Sequence, residues 1–216
     1  MSTTALLHPA DLGSRGTAAT RAFHLGPQIH PSRAPYEFYP TPPEATRALL
    51  SAETFQGSVW EPACGQGHVA KVLEAAGHPV VATDLAPCWG YGITGRDFLA
   101  EREPLATHIV TNPPYGRGLG DAFCLHAIRL TARPGGKVAM LLPVQSLCHP
   151  IRHPFWIAHP PAVIYALDDC QCWPSGEERL ATRSLKAQRY CWIVWDHARK
   201  GPTRFAWLST RPFRSP

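Results

Sequence analysis

No stretch of this 216-residue chain approaches the roughly 20 consecutive apolar residues needed to cross a bilayer. Its first 26 residues lack the basic start and apolar run of a secretory leader. Charged residues are scarce at 17%, while a hydrophobic content of 44% is ordinary for a globular domain. An even set of cysteines is missing as well. The seven present (Cys64, Cys88, Cys124, Cys148, Cys170, Cys172, Cys191) are scattered, which reads as reduced thiols in a cytoplasmic setting rather than a disulfide framework. His149, His153 and His159, with Cys170-x-Cys172 beyond, match no compact zinc pattern, so no metal is expected. No internal repeat is visible. These absences argue against membrane-spanning helices, a disulfide framework and repeat architectures, and the length fits one α/β domain with embellishments.

Charge is present in one place more than others. The formal net charge is +5, and from Arg179 onward nine basic residues face a single acid, Asp196. Arg179, Arg183, Lys186 and Arg189 begin that segment and are candidates for contact with a phosphate backbone, the other reading being a solvated face.

Residues 1 to about 35 lack period and read as a mobile arm, leaving 36–216 as a single domain. Thr41-Pro42-Pro43-Glu44 reads as a helix start, with Thr41 as N-cap, Pro42 in the first helical position and Glu44 completing a capping box; the helix runs to about Phe55. Strands are expected at 58–61, 79–83, near Ile93, and at 108–111, 137–142 and 162–167, with helices at about 68–76 and 120–132. Segments 190–195 and 204–208 look like a terminal antiparallel hairpin. The fold class is therefore α/β and Rossmann-like, with a mainly parallel sheet covered on both faces. The 150–190 region is the candidate target-contacting insert.

Chemistry concentrates where strands end. Glu61-Pro62-Ala63-Cys64-Gly65-Gln66-Gly67 forms a strand-to-helix turn whose glycines allow a tight bend and close approach of a ligand. Asp84-Leu85 closes the next strand, nineteen residues after Gly65, where a carboxylate can accept ribose hydroxyls. Asp97-Phe98 offers an acceptor for an adenine amine and a ring for the base. Gly65-x-Gly67-x-x-Ala70 also satisfies the dinucleotide fingerprint, so a nicotinamide enzyme stands as a rival. Against that rival, Glu61 lies where a pyrophosphate wants no negative neighbour and a cationic cofactor would welcome one. Finally, Asn112-Pro113-Pro114-Tyr115 follows the apolar run 108–111. Two prolines stiffen the corner, which holds an amide and an aromatic ring ready for a planar amine-bearing base.

The order Phe38-Tyr39-Pro40-Thr41-Pro42, the Glu61–Gly67 turn, Asp84, Asp97-Phe98 and the Asn112–Tyr115 corner resembles the adenine-N6 DNA methyltransferases of the gamma arrangement, in particular the small phage and prophage forms. The match covers roughly residues 36–145. The resemblance implies the Rossmann-like methyltransferase fold with S-adenosylmethionine as cofactor, over Gly65 and Gly67 in the Glu61-Pro62-Ala63 turn. Its ribose would go to Asp84 beside Leu85, its adenine to Asp97 and Phe98, and its methionine end to Tyr39, Thr41 and Pro42. Asn112, Pro113 through its carbonyl, Pro114 and Tyr115 would hold an adenine flipped out of double-stranded DNA. A long target-recognition domain is absent from the pattern, so 150–190 and the basic segment with Arg179, Arg183, Lys186 and Arg189 are left for target contact. RNA adenine, a protein glutamine, or a catalytically silent DNA-binding module remain the alternatives.

Overall fold

The computed structural model describes residues 35–214; the expected arm falls, but for Pro35, outside the described residues. One sheet organises the chain. Its strands are β1 (Val59–Glu61), β2 (Val80–Asp84), β3 (Ile93–Thr94), β4 (His108–Thr111), β5 (Lys137–Pro143), β6 (Val163–Leu167), β7 (Tyr190–Asp196) and β8 (Arg204–Leu208). They lie in the order β3-β2-β1-β4-β5-β7-β6-β8. β1 to β5 pair in parallel, β7 runs antiparallel between β5 and β6, and β8 pairs in parallel with β6. The helices are α1 (Pro43–Ala52), α2 (Ala70–Ala75), α3 (Leu119–Leu130), α4 (His153–Ala158) and α5 (Arg183–Ala187).

Side chains alternate across the pleat and divide the core in two. Val59, Val110, Ala139, Leu141, Trp192 and Val194 face α1 and α2, where Ala45, Ala48, Leu49 and Leu73 are buried. Trp60, Ile109, Val138, Met140, Ile193 and Trp195 face α3, with Phe155 and Trp156 of α4 beside them. The central strands are therefore apolar on both faces, which is why they read as continuous hydrophobic runs.

Two local readings need correction. Thr41 does not cap α1. The helix starts at Pro43 with Pro42 as N-cap and no side-chain cap bond. Neither proline has an N–H, so the first turn has fewer donors needing a cap. The Thr41 hydroxyl is thus released for another partner. The second correction concerns 190–195 and 204–208. Both strands form and run in opposite directions, but β6 lies between them. Strand β7 is buried through six consecutive residues, so it needs a neighbour on each side. The linking segment is tied to the start of β6 by Arg199 donating to Ala162 O (3.0 Å) and Thr203 Oγ1 donating to Pro161 O (2.7 Å). The 150–190 region is likewise divided, because β6 passes through its middle.

Parallel strands ending together create the functional edge. Glu61 ends β1, Asp84 ends β2 and Asn112 follows β4, so three polar side chains converge at the carboxyl ends, where open α/β sheets bind ligands.

Trp192 is fully buried, and its indole N–H donates to Ala45 O of α1 at 2.9 Å, joining β7 to the first helix. Trp192→Ala is expected to cost about 3–5 kcal/mol, measured as a lowered urea midpoint with little change in slope.

Candidate functional site

A cleft of about 850 Å³, solvent at its mouth included, opens at the carboxyl edge of the sheet. Tyr39, Thr41, Glu61, Pro62, Ala63, Gly65, Asp84, Leu85, Asp97 and Phe98 line it together with Asn112, Pro113, Pro114 and Tyr115. Fourteen positions drawn from five separate segments thus line one cleft. Pro42 and Gly67 lie outside the lining, and so do Arg179, Arg183, Lys186 and Arg189.

The acidic side of the cleft is built by buried carboxylates. Glu61 is 2% exposed, and its Oε2 accepts from Ala70 N of α2 at 2.7 Å. Asp84 takes Gly65 N on Oδ2 (2.8 Å) and Ala86 N on Oδ1 (2.7 Å), tying the glycine turn to the end of β2. Neither acid pairs with a cation among the described residues. Burial pushes the Glu61 carboxyl well above the usual carboxylate range; the Ala70 N–H opposes this and the charge of Asp84 adds to it. Burial raises Asp84 too, against the two N–H groups that it accepts. Two uncompensated carboxylates facing one cleft favour a ligand that brings positive charge. The neighbouring Cys64 thiol is pushed up to about 12 by burial and then by Glu61 and Asp84, so it stays protonated and is no nucleophile.

Both glycines of the turn have positive φ, 50° at Gly65 and 81° at Gly67. A Cβ at Gly65 would lie 2.8 Å from the Phe38 ring, and one at Gly67 would lie 2.5 Å from the Tyr91 ring. The space beside Gly67 therefore belongs to a protein side chain, which removes this glycine from the cleft wall. Tyr91 is held there by its hydroxyl donating to Glu74 Oε1 at 2.8 Å and by Lys71 over the ring.

Aromatic rings close the opposite side. Phe38 stacks on Trp89 with centroids 4.3 Å apart, and Tyr36 meets Trp89 edge-on at 5.8 Å. Phe98 sits deeper, 5.1 Å from Trp60 and 4.7 Å from Phe123. Asp97 accepts from Leu99 N at 3.0 Å and caps the short turn Phe98–Ala100 while lining the cleft. Sequence reasoning missed Trp89, His68 and Arg96, all of them lining residues. Trp89 follows Asp84 in an irregular stretch without period; the one available signal was an aromatic ring in the loop after a strand that ends on an acid.

The Asn112 corner is densely bonded. Asn112 Nδ2 donates to Tyr39 O (2.9 Å) and to Thr41 Oγ1 (3.0 Å), and Cys172 Sγ lies 3.9 Å away. Asn112 Oδ1 accepts from the Tyr115 hydroxyl, which also lies 3.0 Å from Leu141 O. A phenol has one hydrogen, so these two acceptors share a single donor. The Tyr115 hydroxyl is thus turned inward.

The segment after β6 crosses the rim beside this corner. Ser175 N donates to Phe38 O at 3.1 Å. Arg179 pairs with Glu177 and Lys186 with Glu178, at 2.5 and 3.1 Å, in exposed positions. Arg189 donates to the carbonyls of Lys186 and Gln188. The positive run is therefore partly neutralised by acids just upstream of the stretch in which the charge was counted. Among the described residues, no group of three or more His, Cys, Asp or Glu is placed to hold a metal, and no helix is long and apolar enough to cross a membrane.

Comparison with known proteins gives a fold and no sequence family. No protein-family model matches the chain, and no curated protein sequence matches it. Among solved structures it is similar to a proposed class I S-adenosylmethionine-dependent methyltransferase from Listeria monocytogenes, with TM-score 0.52 and 15% identity over 92% of this chain and 73% of that one. It is also similar to a modification subunit of a proposed type I restriction enzyme from Vibrio vulnificus (TM-score 0.54, 15% identity, 94% of this chain and 53% of that one). The M protein of the type I restriction enzyme EcoKI gives TM-score 0.52 at 15% identity, over 72% of this chain and 43% of that one. The chain thus spans about half the length of these two subunits.

The Glu61 carboxyl titrates higher in the folded chain than in the unfolded one, so the stability it contributes is present at low pH and is lost as pH rises through the folded value. Glu61→Gln should melt close to wild type near pH 4.5 and above it at pH 8, in ligand-free thermal scans. A variant that melts lower at pH 8 would contradict this charge balance.

Proposed function

We propose that the protein is an S-adenosylmethionine-dependent methyltransferase acting on the exocyclic N6 amine of adenine in DNA, with the base flipped from the duplex. The observation that carries this reading is one continuous cleft holding both the uncompensated Glu61–Asp84 pair and the Asn112 corner. The fold shared with methyltransferases and restriction-modification subunits supports it. The residues fit the cofactor on their own chemistry. Buried carboxylates suit its ammonium and sulfonium charges, and Phe98 with Asp97 suits a purine and its amine. A nicotinamide dinucleotide would set a pyrophosphate beside the same carboxylates, which Coulomb repulsion disfavours.

When bound, the cofactor supplies an electrophilic methyl group; the protein supplies position. An adenine amine is a weak nucleophile because its lone pair is delocalised into the ring. Asn112 Oδ1 and the Pro113 carbonyl would each accept one N–H, drawing the nitrogen toward tetrahedral geometry and freeing the lone pair for in-line attack. The amine would replace the Tyr115 hydroxyl at Asn112 Oδ1, leaving that hydroxyl with Leu141 O as its acceptor. The part of the Tyr115 ring left open would stack on the flipped base, offsetting lost stacking in the duplex. No strong general base is required, since the proton becomes acidic only after transfer and would then leave to water at the open mouth of the cleft. Arg179, Arg183, Lys186 and Arg189, in the chain segment that follows Cys172, would meet the phosphate backbone.

Labelled S-adenosylmethionine incubated with DNA, RNA and protein in parallel, followed by nucleoside analysis, should place the label on N6-methyladenine in DNA. Asn112→Ala should lower methyl transfer by about 10²–10³-fold while the dissociation constant of the cofactor changes less than about twofold. Comparable loss of both would refute the assigned role, and label confined to RNA or to glutamine would replace the substrate.

A further inference from the structure

An asparagine side chain has two chemically opposite ends, and only its oxygen can serve an incoming amine. In this protein both hydrogens of the Asn112 amide meet acceptors from one strap, Tyr39 O at 2.9 Å and Thr41 Oγ1 at 3.0 Å. Rotating the amide by half a turn would set Oδ1 against the Tyr39 carbonyl, oxygen against oxygen. It would also turn the NH₂ group toward the place where Tyr115 now donates. Thr41 is 3% exposed, and its hydroxyl caps no helix, since α1 begins at Pro43 without a side-chain cap. A buried hydroxyl keeps a hydrogen-bond partner, and here the partner is the Asn112 amide.

We propose that Thr41 is a positioning residue: it fixes the Asn112 amide with Oδ1 turned to the cleft before the target base arrives. This rests on the methyl-transfer reading above and deepens it. The role differs from the cofactor contact that the position suggests in the sequence, and the two roles separate experimentally. A cofactor contact acts on cofactor affinity. An amide held in the wrong orientation acts on the chemical step, because the acceptor is missing only when the amine is in place.

The test uses the full chain with Thr41→Val, Thr41→Ala and Thr41→Ser. Valine keeps the shape and removes the acceptor, alanine removes both, and serine keeps the hydroxyl. Readouts are kcat for methyl transfer to DNA and the cofactor dissociation constant by titration calorimetry, with a melting curve for each variant. The expected result is a kcat lowered about tenfold in the folded valine or alanine variant, a cofactor dissociation constant within about twofold of wild type, and kcat restored by serine. Unchanged kcat, a loss confined to cofactor affinity, or a serine variant as impaired as valine would each overturn it. A wild-type chain that methylates nothing removes the parent reading and this one with it, whereas an active wild type with an indifferent Thr41→Val removes this one alone.

Discussion

Two hydrogen bonds from one amide group hold the functional end of this molecule together. Asn112 lies at the end of a central parallel strand, and its NH₂ group reaches across to residues 39 and 41, more than seventy positions earlier in the chain. The strap so captured supplies a wall of the cleft, and Phe38 within it stacks on Trp89 from the far side of the acidic turn. Ser175 N bonds the same strap at Phe38 O. The polar corner, the aromatic side and the rim segment are therefore one connected arrangement. Because every backbone and side-chain donor at such a junction needs a partner, a shift of the strap is felt at the amide.

Electrostatics complete the picture on the other wall. Two carboxylates buried without a cation are costly in a free protein, and the chain offsets part of that cost with backbone N–H groups from Gly65, Ala70 and Ala86. The same donors fix the glycine turn to β2 and to the start of α2. Local order and binding preference thus come from one set of hydrogen bonds. The acids stay in tension with their surroundings until positive charge is supplied.

Much of this was legible in the sequence, for reasons that can be stated. Strands β4, β5 and β7 are buried on both faces and announce themselves as unbroken apolar runs. Glu61, Asp84 and Asn112 stand directly at strand ends, where one-dimensional order translates into a common edge. What was misread depends on long-range partners. The Thr41 hydroxyl matched a capping pattern, yet two prolines left little to cap and a distant amide claimed it. The neighbours of β7 were decided by its need for cover on both edges, which pattern alone does not rank. Within the basic run, Arg179 and Lys186 pair with Glu177 and Glu178, acids that sit just before the stretch in which the charge was counted. Trp89 lay in an irregular stretch where periodicity has nothing to detect.

The shared hydrogen of Tyr115 has a consequence for discrimination among bases. Its hydroxyl stands at Asn112 Oδ1 with Leu141 O close by as a second acceptor. Under the proposed reading, an arriving amine swaps one donor for another at that oxygen, and the displaced phenol hydrogen is received at once, so the tally of polar pairings is conserved. A base bearing a carbonyl at the same place offers no hydrogen in exchange. It would press oxygen on oxygen and leave both unsatisfied, a penalty that rejects keto bases without any residue dedicated to excluding them.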